Sequence, residues 1–306
     1  MKRDADTPRI VVDPLSGRTA VFAPKRGKRP HGHSAKGRKD FLASIEERET
    51  VFAQRGKDPN WRIRVVGNLY PSFTPAYREA YGHQDLIVEG RRSTATLGTL
   101  PPSLVREIVD VWAERTAHYM RDPKVGYIVV FHSWGERSGA SIGHPHSQIY
   151  ASAFVPPWLV AEMRRANRLR VRGVHPVLAE ARRLRRSSLA VWSRGGLLAY
   201  CPPASRFPYE TWITPLRPVD NIAELTAGER RVLADMLRAL ARTLERHDTA
   251  FNISCHQLVR QSGEQLVIRV TPRRTIPAGV ELDAEMYLNP VFPEQAAQRL
   301  RRGLVQ

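Results

Sequence analysis

The order of apolar segments along this chain repeats once, and that repeat limits the fold more than any other feature. Trp61-Arg62-Ile63-Arg64-Val65-Val66 alternates like a strand and stops at Gly67-Asn68, and Asp85-Leu86-Ile87-Val88 reads as a second strand. Residues 103–120 bring Leu104, Ile108, Val111, Trp112 and Arg115 onto one helical face. A strand over 126–131, a glycine-rich turn from Gly135 to Ser141 and a strand over 146–152 follow. After a basic amphipathic stretch at 159–185, interrupted at Gly173–Pro176, the pattern restarts. Strands are expected at 197–200 and 211–214. A helix opened by the Thr226–Glu229 capping box runs to about residue 246, and strands follow at 251–254 and 265–270.

Strand, strand, long helix, strand, turn, strand, twice over, is a duplication with a period far longer than a solenoid repeat. It predicts an α+β fold of two tandem halves, each with antiparallel sheet and packed helices. The expected divisions are a first half at 1–155, a basic helical connector at 156–196 and a second half at 197–306. The first 40 or so residues, with the string RGKRPHGHSAKGRK, read as a polar arm or loop.

The strand over 146–152 carries the chemistry. It begins within Gly143-His144-Pro145-His146-Ser147-Gln148-Ile149. Side chains two apart on a strand share a face, so His144, His146 and Gln148 line one surface. Such a surface can hold phosphate and attack it with an imidazole nitrogen. From spacing alone, a histidine pair of this kind also serves metal binding or a purely structural role.

At 306 residues the chain can bury a large core, and 42% hydrophobic with 25% charged residues is the balance of a globular protein. No apolar run approaches the ~20 residues of a membrane span. MKRDADTPRI lacks the apolar stretch of a secretory signal, so a cytoplasmic protein is expected. Cys201 and Cys255 are the only cysteines, which excludes a cysteine-rich zinc site and predicts two half-buried free thiols. The net charge of +18 concentrates in residues 1–40 and 162–194. A nucleic-acid binder or an enzyme of phosphorylated substrates could carry it. Aromatic residues do not interleave with the 162–194 run, so stacking on single strands is not indicated, and nucleic acid is not an expected partner.

Five strings, in order, carry a resemblance: DPLSGRTAVFAPKRGKRP (13–30), RVVGNLYPSF (64–73), GHPHSQIYA (143–151), CPPASRFPYETWITP (201–215) and AGVELDAEMYLNPVFPEQAA (278–297). Together they resemble the galactose-1-phosphate uridylyltransferase family of the histidine-triad superfamily, which is built from two histidine-triad-like halves. The resemblance implies a nucleotidyltransferase acting on a nucleoside diphosphate sugar and a sugar phosphate. His146 would be the nucleophile that forms a covalent nucleotidyl-histidine. Gln148 and Ser141 would hold the transferring phosphoryl group, with His144 beside them. Arg26 and Arg29 would neutralise phosphate, Asn68 and Ser133 would lie near the nucleoside, and Glu281 would hold the sugar. The alternatives are a nucleotide-sugar or dinucleoside polyphosphate phosphorylase or hydrolase, and a catalytically altered basic binding protein.

Two departures bear on metals. A metal-binding cysteine pair of the family aligns with Lys39-Asp40-Phe41-Leu42, and a later histidine with Ser93, leaving His144 alone. In the second half His256 is kept, but the following histidine pair aligns with Val267-Ile268-Arg269. No metal and no cofactor are therefore expected. The expected partners are a nucleotide sugar, a phosphorylated sugar or phosphate acceptor, and a second copy of the chain. His33, His118, His175 and His247 match nothing and are expected at the surface.

Overall fold

The computed structural model describes residues 7–14, 17, 19–24, 42, 51–140, 142–261 and 263–305. A short hairpin of β1 (Arg9–Val12) and β2 (Thr19–Phe22) comes first, where an irregular arm was expected. The first half then runs β3 (Val51–Arg55), β4 (Ile63–Gly67), β5 (Gly82–Glu89), α1 (Pro102–Tyr119), β6 (Tyr127–Trp134) and β7 (His146–Ser152). Helices α2 (Pro157–Leu169) and α3 (Pro176–Leu184) lead to β8 (Ala190–Arg194), β9 (Leu197–Tyr200) and β10 (Thr211–Pro215). The chain continues with α4 (Ala227–Arg246), β11 (Phe251–Leu258), β12 (Ile268–Pro272), α5 (Gly279–Asp283) and α6 (Pro293–Val305).

Ten of these strands form one sheet in the order β3-β4-β5-β7-β6-β11-β12-β10-β9-β8, with every neighbouring pair antiparallel. The order reads alike from both edges. β3 corresponds to β8, β4 to β9, β5 to β10, β6 to β11 and β7 to β12, so the duplication is built into the sheet. The two halves meet where β6 pairs with β11 over their full lengths, from Tyr127 opposite Leu258 to Trp134 opposite Phe251. The edge strands β3 and β8 were not foreseen; β8 falls within the stretch expected as a connector.

Strand alternation divides the sheet into two faces. On one face Ile63, Ile87, Ile128, Val130, Ile149, Ile253, Ile268 and Val270 join the main core with α1, α4 and α6. Pro102 opens α1 at a position where its missing N–H is not needed. The expected capping box opens α4: Thr226 Oγ1 accepts from Glu229 N–H at 3.2 Å, and Glu229 accepts from Thr226 N–H at 2.9 Å. On the opposite face α2 packs over Tyr127, Val129 and Leu258, and α3 over Leu198 and Tyr200. Among the described residues no helix is long and apolar enough to cross a membrane.

Two sequence expectations are corrected. Both cysteines are free, but they are fully rather than half buried, and burial pushes each thiol up to about 12. His175 is buried, not superficial: its Nδ1 accepts from Val177 N–H at 3.3 Å and caps α3. His118 and His247 are exposed, and His33 lies outside the described residues.

A buried polar triad ties β5 to α1. Arg115 Nη2 and Tyr119 Oη donate to Asp85 Oδ2 at 2.9 and 2.7 Å. Burial raises the Asp85 pKa, against the opposing pull of Arg115 and Tyr119. Arg115→Met is expected to leave that carboxylate without its cation and to cost about 3–5 kcal/mol in urea unfolding.

Candidate functional site

Pro145 cannot donate to a ladder, so regular pairing of β7 begins at His146. The strand lies between β5 and β6, with His146 opposite Val88, and Gln148 opposite both Leu86 and Phe131. His146, Gln148 and Tyr150 share the face away from α1, while Ser147, Ile149 and Ala151 turn toward the core. The period-two reading therefore holds for His146 and Gln148, but not for His144, which precedes the strand.

The decisive contact is internal to the motif. His146 Nδ1 lies 2.8 Å from the backbone carbonyl of His144. A carbonyl oxygen only accepts, so Nδ1 carries a proton, and in the neutral imidazole Nε2 then keeps the lone pair. His144 is turned elsewhere: its Nε2 donates to the carbonyl of Gly90 at 2.7 Å. Gly90 has φ of +103°, which only glycine adopts without strain. Gly135 is needed for a different reason, since a Cβ there would stand 2.7 Å from the Cβ of Ala250. The turn before the motif thus packs directly against the start of β11.

Of the other expected site residues, the sheet register brings Ser133 next to His146. Ser133 is one residue past the His132–Ser147 pair, which sets it alongside His146 on β6. Its hydroxyl accepts from Asn252 Nδ2 at 2.8 Å, linking it to the second half. Asn68 follows β4, its N–H bonded to Gln84 O at 2.9 Å, and its Oδ1 accepts from Tyr70 N–H at 2.9 Å. Glu281 is on α5, where it accepts from Ala278 N–H at 3.0 Å. Ser141, Arg26 and Arg29 lie outside the described residues.

A cavity of about 760 Å³ opens on the His146 face of the sheet. Tyr150 and Tyr127 form its floor, Thr19 and Val21 of the hairpin one wall, and Pro157 and Trp158 of α2 another. Glu285 reaches it from the segment after α5.

Among the described residues, the positions considered for a metal do not offer a fitting donor set. Leu42, at the end of the aligned cysteine-pair position, packs with Trp61, Val66, Leu86 and Val88. In the second half Arg269 brings a fixed cation. Its guanidinium lies 5.9 and 5.1 Å from the Trp158 and Trp212 rings, and it donates to Glu162 at 2.7 Å. Nearby, His256 Nδ1 is 2.6 Å from Tyr127 Oη. Burial, with Arg269 and Arg206, lowers the His256 pKa to about 3. Among the described residues no three His, Cys, Asp or Glu side chains converge as a metal site.

Sequence reasoning missed the support behind the motif. Glu89, fully buried, accepts a hydrogen bond from Ser147 Oγ, which itself accepts from Trp112 Nε1–H at 2.9 Å. The one available signal was an acidic residue closing an apolar strand, in Asp85-Leu86-Ile87-Val88-Glu89.

A continuous antiparallel sheet made of two like halves, with a His-x-His-x-Gln motif leading into a strand near its centre, defines a duplicated α+β fold. Residues 70–156 match the family model described as galactose-1-phosphate uridyl transferase, N-terminal domain. An ADP-glucose phosphorylase of Arabidopsis thaliana is 24% identical, over 96% of this chain and 93% of its own. A galactose-1-phosphate uridylyltransferase of Thermotoga maritima is 26% identical, over 74% of this chain and 76% of its own. The fold agrees with the solved structure of an Arabidopsis thaliana ADP-glucose phosphorylase with bound ADP-glucose (TM-score 0.76, 22% identity, 96% and 98% of the two chains). It also agrees with that of a uridylyltransferase mutant (TM-score 0.82, 22% identity, 97% of each chain). The chain is thus similar to the galactose-1-phosphate uridylyltransferase family over residues 70–156, and to an ADP-glucose phosphorylase over nearly its whole length.

The depressed His256 pKa has a consequence for stability. Between about pH 6.5 and 3 the unfolded chain takes up a proton that the native imidazole refuses. Its contribution is therefore greatest above about pH 6.5 and falls as the solution is acidified. His256→Asn is expected to reduce the stability lost between pH 7 and pH 5 by roughly 1–2 kcal/mol, read from urea midpoints.

Proposed function

We propose that this protein is a nucleotidyltransferase that passes a nucleotidyl group from a nucleoside diphosphate sugar to a phosphorylated acceptor through nucleotidyl-His146. The observation that carries this reading is the 2.8 Å contact from His146 Nδ1 to His144 O, which reserves Nε2 as the nucleophile. Nε2 attacks the α-phosphorus and forms a P–N bond. The bond from that phosphorus to the bridging oxygen breaks, and its electron pair leaves with the sugar 1-phosphate. The ring becomes cationic, and its Nδ1–H remains on the His144 carbonyl. A phosphate oxygen of the acceptor then attacks the same phosphorus, and Nε2 leaves with its electron pair.

Gln148, two residues along the same face, is assigned to the transferring phosphoryl oxygens, together with Ser141. Arg26 and Arg29 are assigned to phosphate charge, Asn68 and Ser133 to the nucleoside side, and Glu281 to the sugar. The chemistry is the same whether the acceptor is a sugar phosphate or inorganic phosphate. The similarity to an ADP-glucose phosphorylase along nearly the whole chain supports a phosphorylase as the second reading. We place the protein in the cytoplasm, consistent with its two free thiols. We also assign the chain to two histidine-triad-like halves, 1–155 and 197–306, joined through 156–196.

A homodimer belongs to this proposal. Ile276, Val280, Leu282, Met286, Leu288 and Phe292 are all exposed within one stretch that ends just before α6. An apolar run of that extent marks a contact surface, and Glu281 and Glu285 fall within it. Leu288→Asp with Phe292→Asp is expected to yield a monomer in sedimentation equilibrium, against a dimer for the unaltered chain.

Incubation with ADP-, UDP- and GDP-sugars should add one nucleotidyl mass to the intact protein, and the added mass names the base. His146→Gly should keep the fold, take up no mass and lose at least about 10³-fold in turnover. Full activity in that variant would end the proposal. Exchange of labelled sugar 1-phosphate into the nucleotide sugar separates a transferase or phosphorylase from a hydrolase, which shows no exchange.

A further inference from the structure

The sheet face behind His146 carries a polar assembly that the proposed reaction does not use directly. Glu89, on β5, is 0% exposed, and His132, on β6, is 2% exposed. His132 Nδ1 stands 3.2 Å from Glu89 Oε2, without the alignment of a hydrogen bond. The other Glu89 oxygen accepts from Ser147 Oγ, and Trp112 Nε1–H closes the chain onto Ser147 at 2.9 Å. Removing a carboxylate and an imidazole from water costs several kcal/mol per ion, and apolar residues of similar volume would hold the sheet at least as well. Stability alone therefore does not account for the pair.

Its position does. Glu89 and Gly90 grip the motif at three residues, His144, Pro145 and Ser147. Glu89 N–H donates to Pro145 O at 3.0 Å, Gly90 O accepts from the His144 ring at 2.7 Å, and the Glu89 carboxylate holds the Ser147 hydroxyl. The grips fall on both sides of His146 and leave the His144 carbonyl turned to its Nδ1. The charged groups acting on His132 are Glu89 from β5 and Glu245 from α4, while its ring stacks on Phe251 of β11 at 6.3 Å. Burial disfavours a charge on His132, but these two carboxylates outweigh it and raise its pKa.

We infer that Glu89 and His132 form a buried positioning pair that holds Ser147, and through it the backbone around His146, in the geometry needed for attack at phosphorus. The inference rests on the nucleotidyl-His146 reading. A misplacement of the attacking nitrogen by about 1 Å is enough to cost on the order of 100-fold in rate, so the pair acts on kcat more than on substrate binding.

The test compares Glu89→Gln, His132→Gln and the double variant in single-turnover nucleotidylation, steady-state kinetics and thermal melting. Each single variant is expected to lower the nucleotidylation rate and kcat by about 10- to 100-fold with KM within about twofold. Because the two residues act as one unit, the double variant should lose no more than the worse single. Ser147→Ala, which removes only a hydroxyl, should lower kcat by a smaller factor in the same direction and covers the case in which a charge variant does not fold. Normal rates in the folded variants, a double loss equal to the product of the singles, or a loss wholly in KM would overturn the inference. If the wild-type protein acquires no nucleotidyl mass, the functional reading fails and takes this inference with it. Mass on the wild type with unimpaired variants removes the positioning pair alone.

Discussion

The hydrogen bond from His146 Nδ1 to the His144 carbonyl decides which ring nitrogen is left for the proposed attack on phosphorus. An imidazole has two nitrogens, and only the one without a proton can attack phosphorus. The backbone makes that choice through a 2.8 Å contact within the motif itself. Much of the surrounding structure keeps the contact in place. Pro145 delays regular strand pairing until His146, Gly90 takes the His144 ring away on its own carbonyl, and Glu89 holds the backbone at Pro145 and the side chain of Ser147.

The duplication explains why the site is so well supported. β7 lies deep in a ten-stranded sheet because β6, its neighbour, is not an edge but the seam to β11. Ser133 is tied to Asn252, and Gly135 packs on Ala250, so the second half buttresses the first near its reactive end. The corresponding strand of the second half, β12, carries no histidine. On β12 the outward position holds Arg269, between two indole rings and paired with Glu162. A guanidinium there satisfies the local acidic group without a metal. It also helps hold His256 neutral against the Tyr127 hydroxyl.

Much of this was legible in the sequence because it depends on short-range periodicity. The spacing of His146 and Gln148 predicted their shared strand face, though His144 does not join it, and Thr226 with Glu229 marked the start of α4. The order of segments revealed two halves. What could not be read depends on partners distant in sequence. Glu89 meets Ser147 and His132 only because β5, β7 and β6 are neighbours in space, and Tyr127 meets His256 only across the seam. His175 looked like a surface residue because nothing local shows that α3 packs it beneath Glu264. β3 and β8 are short edge strands with mixed polarity, so neither gives a clean alternating pattern.

The most direct test of the account is the protonation pattern of His146, read by nitrogen NMR on protein with labelled histidine, with His146→Gln to assign the signals. The resting protein should show His146 protonated at Nδ1 and bare at Nε2 at neutral pH. After reaction with a nucleotide sugar, phosphorus coupling should appear at Nε2 while the Nδ1 proton remains. A resting ring protonated at Nε2, or a phosphorus attached at Nδ1, would contradict the account at its centre.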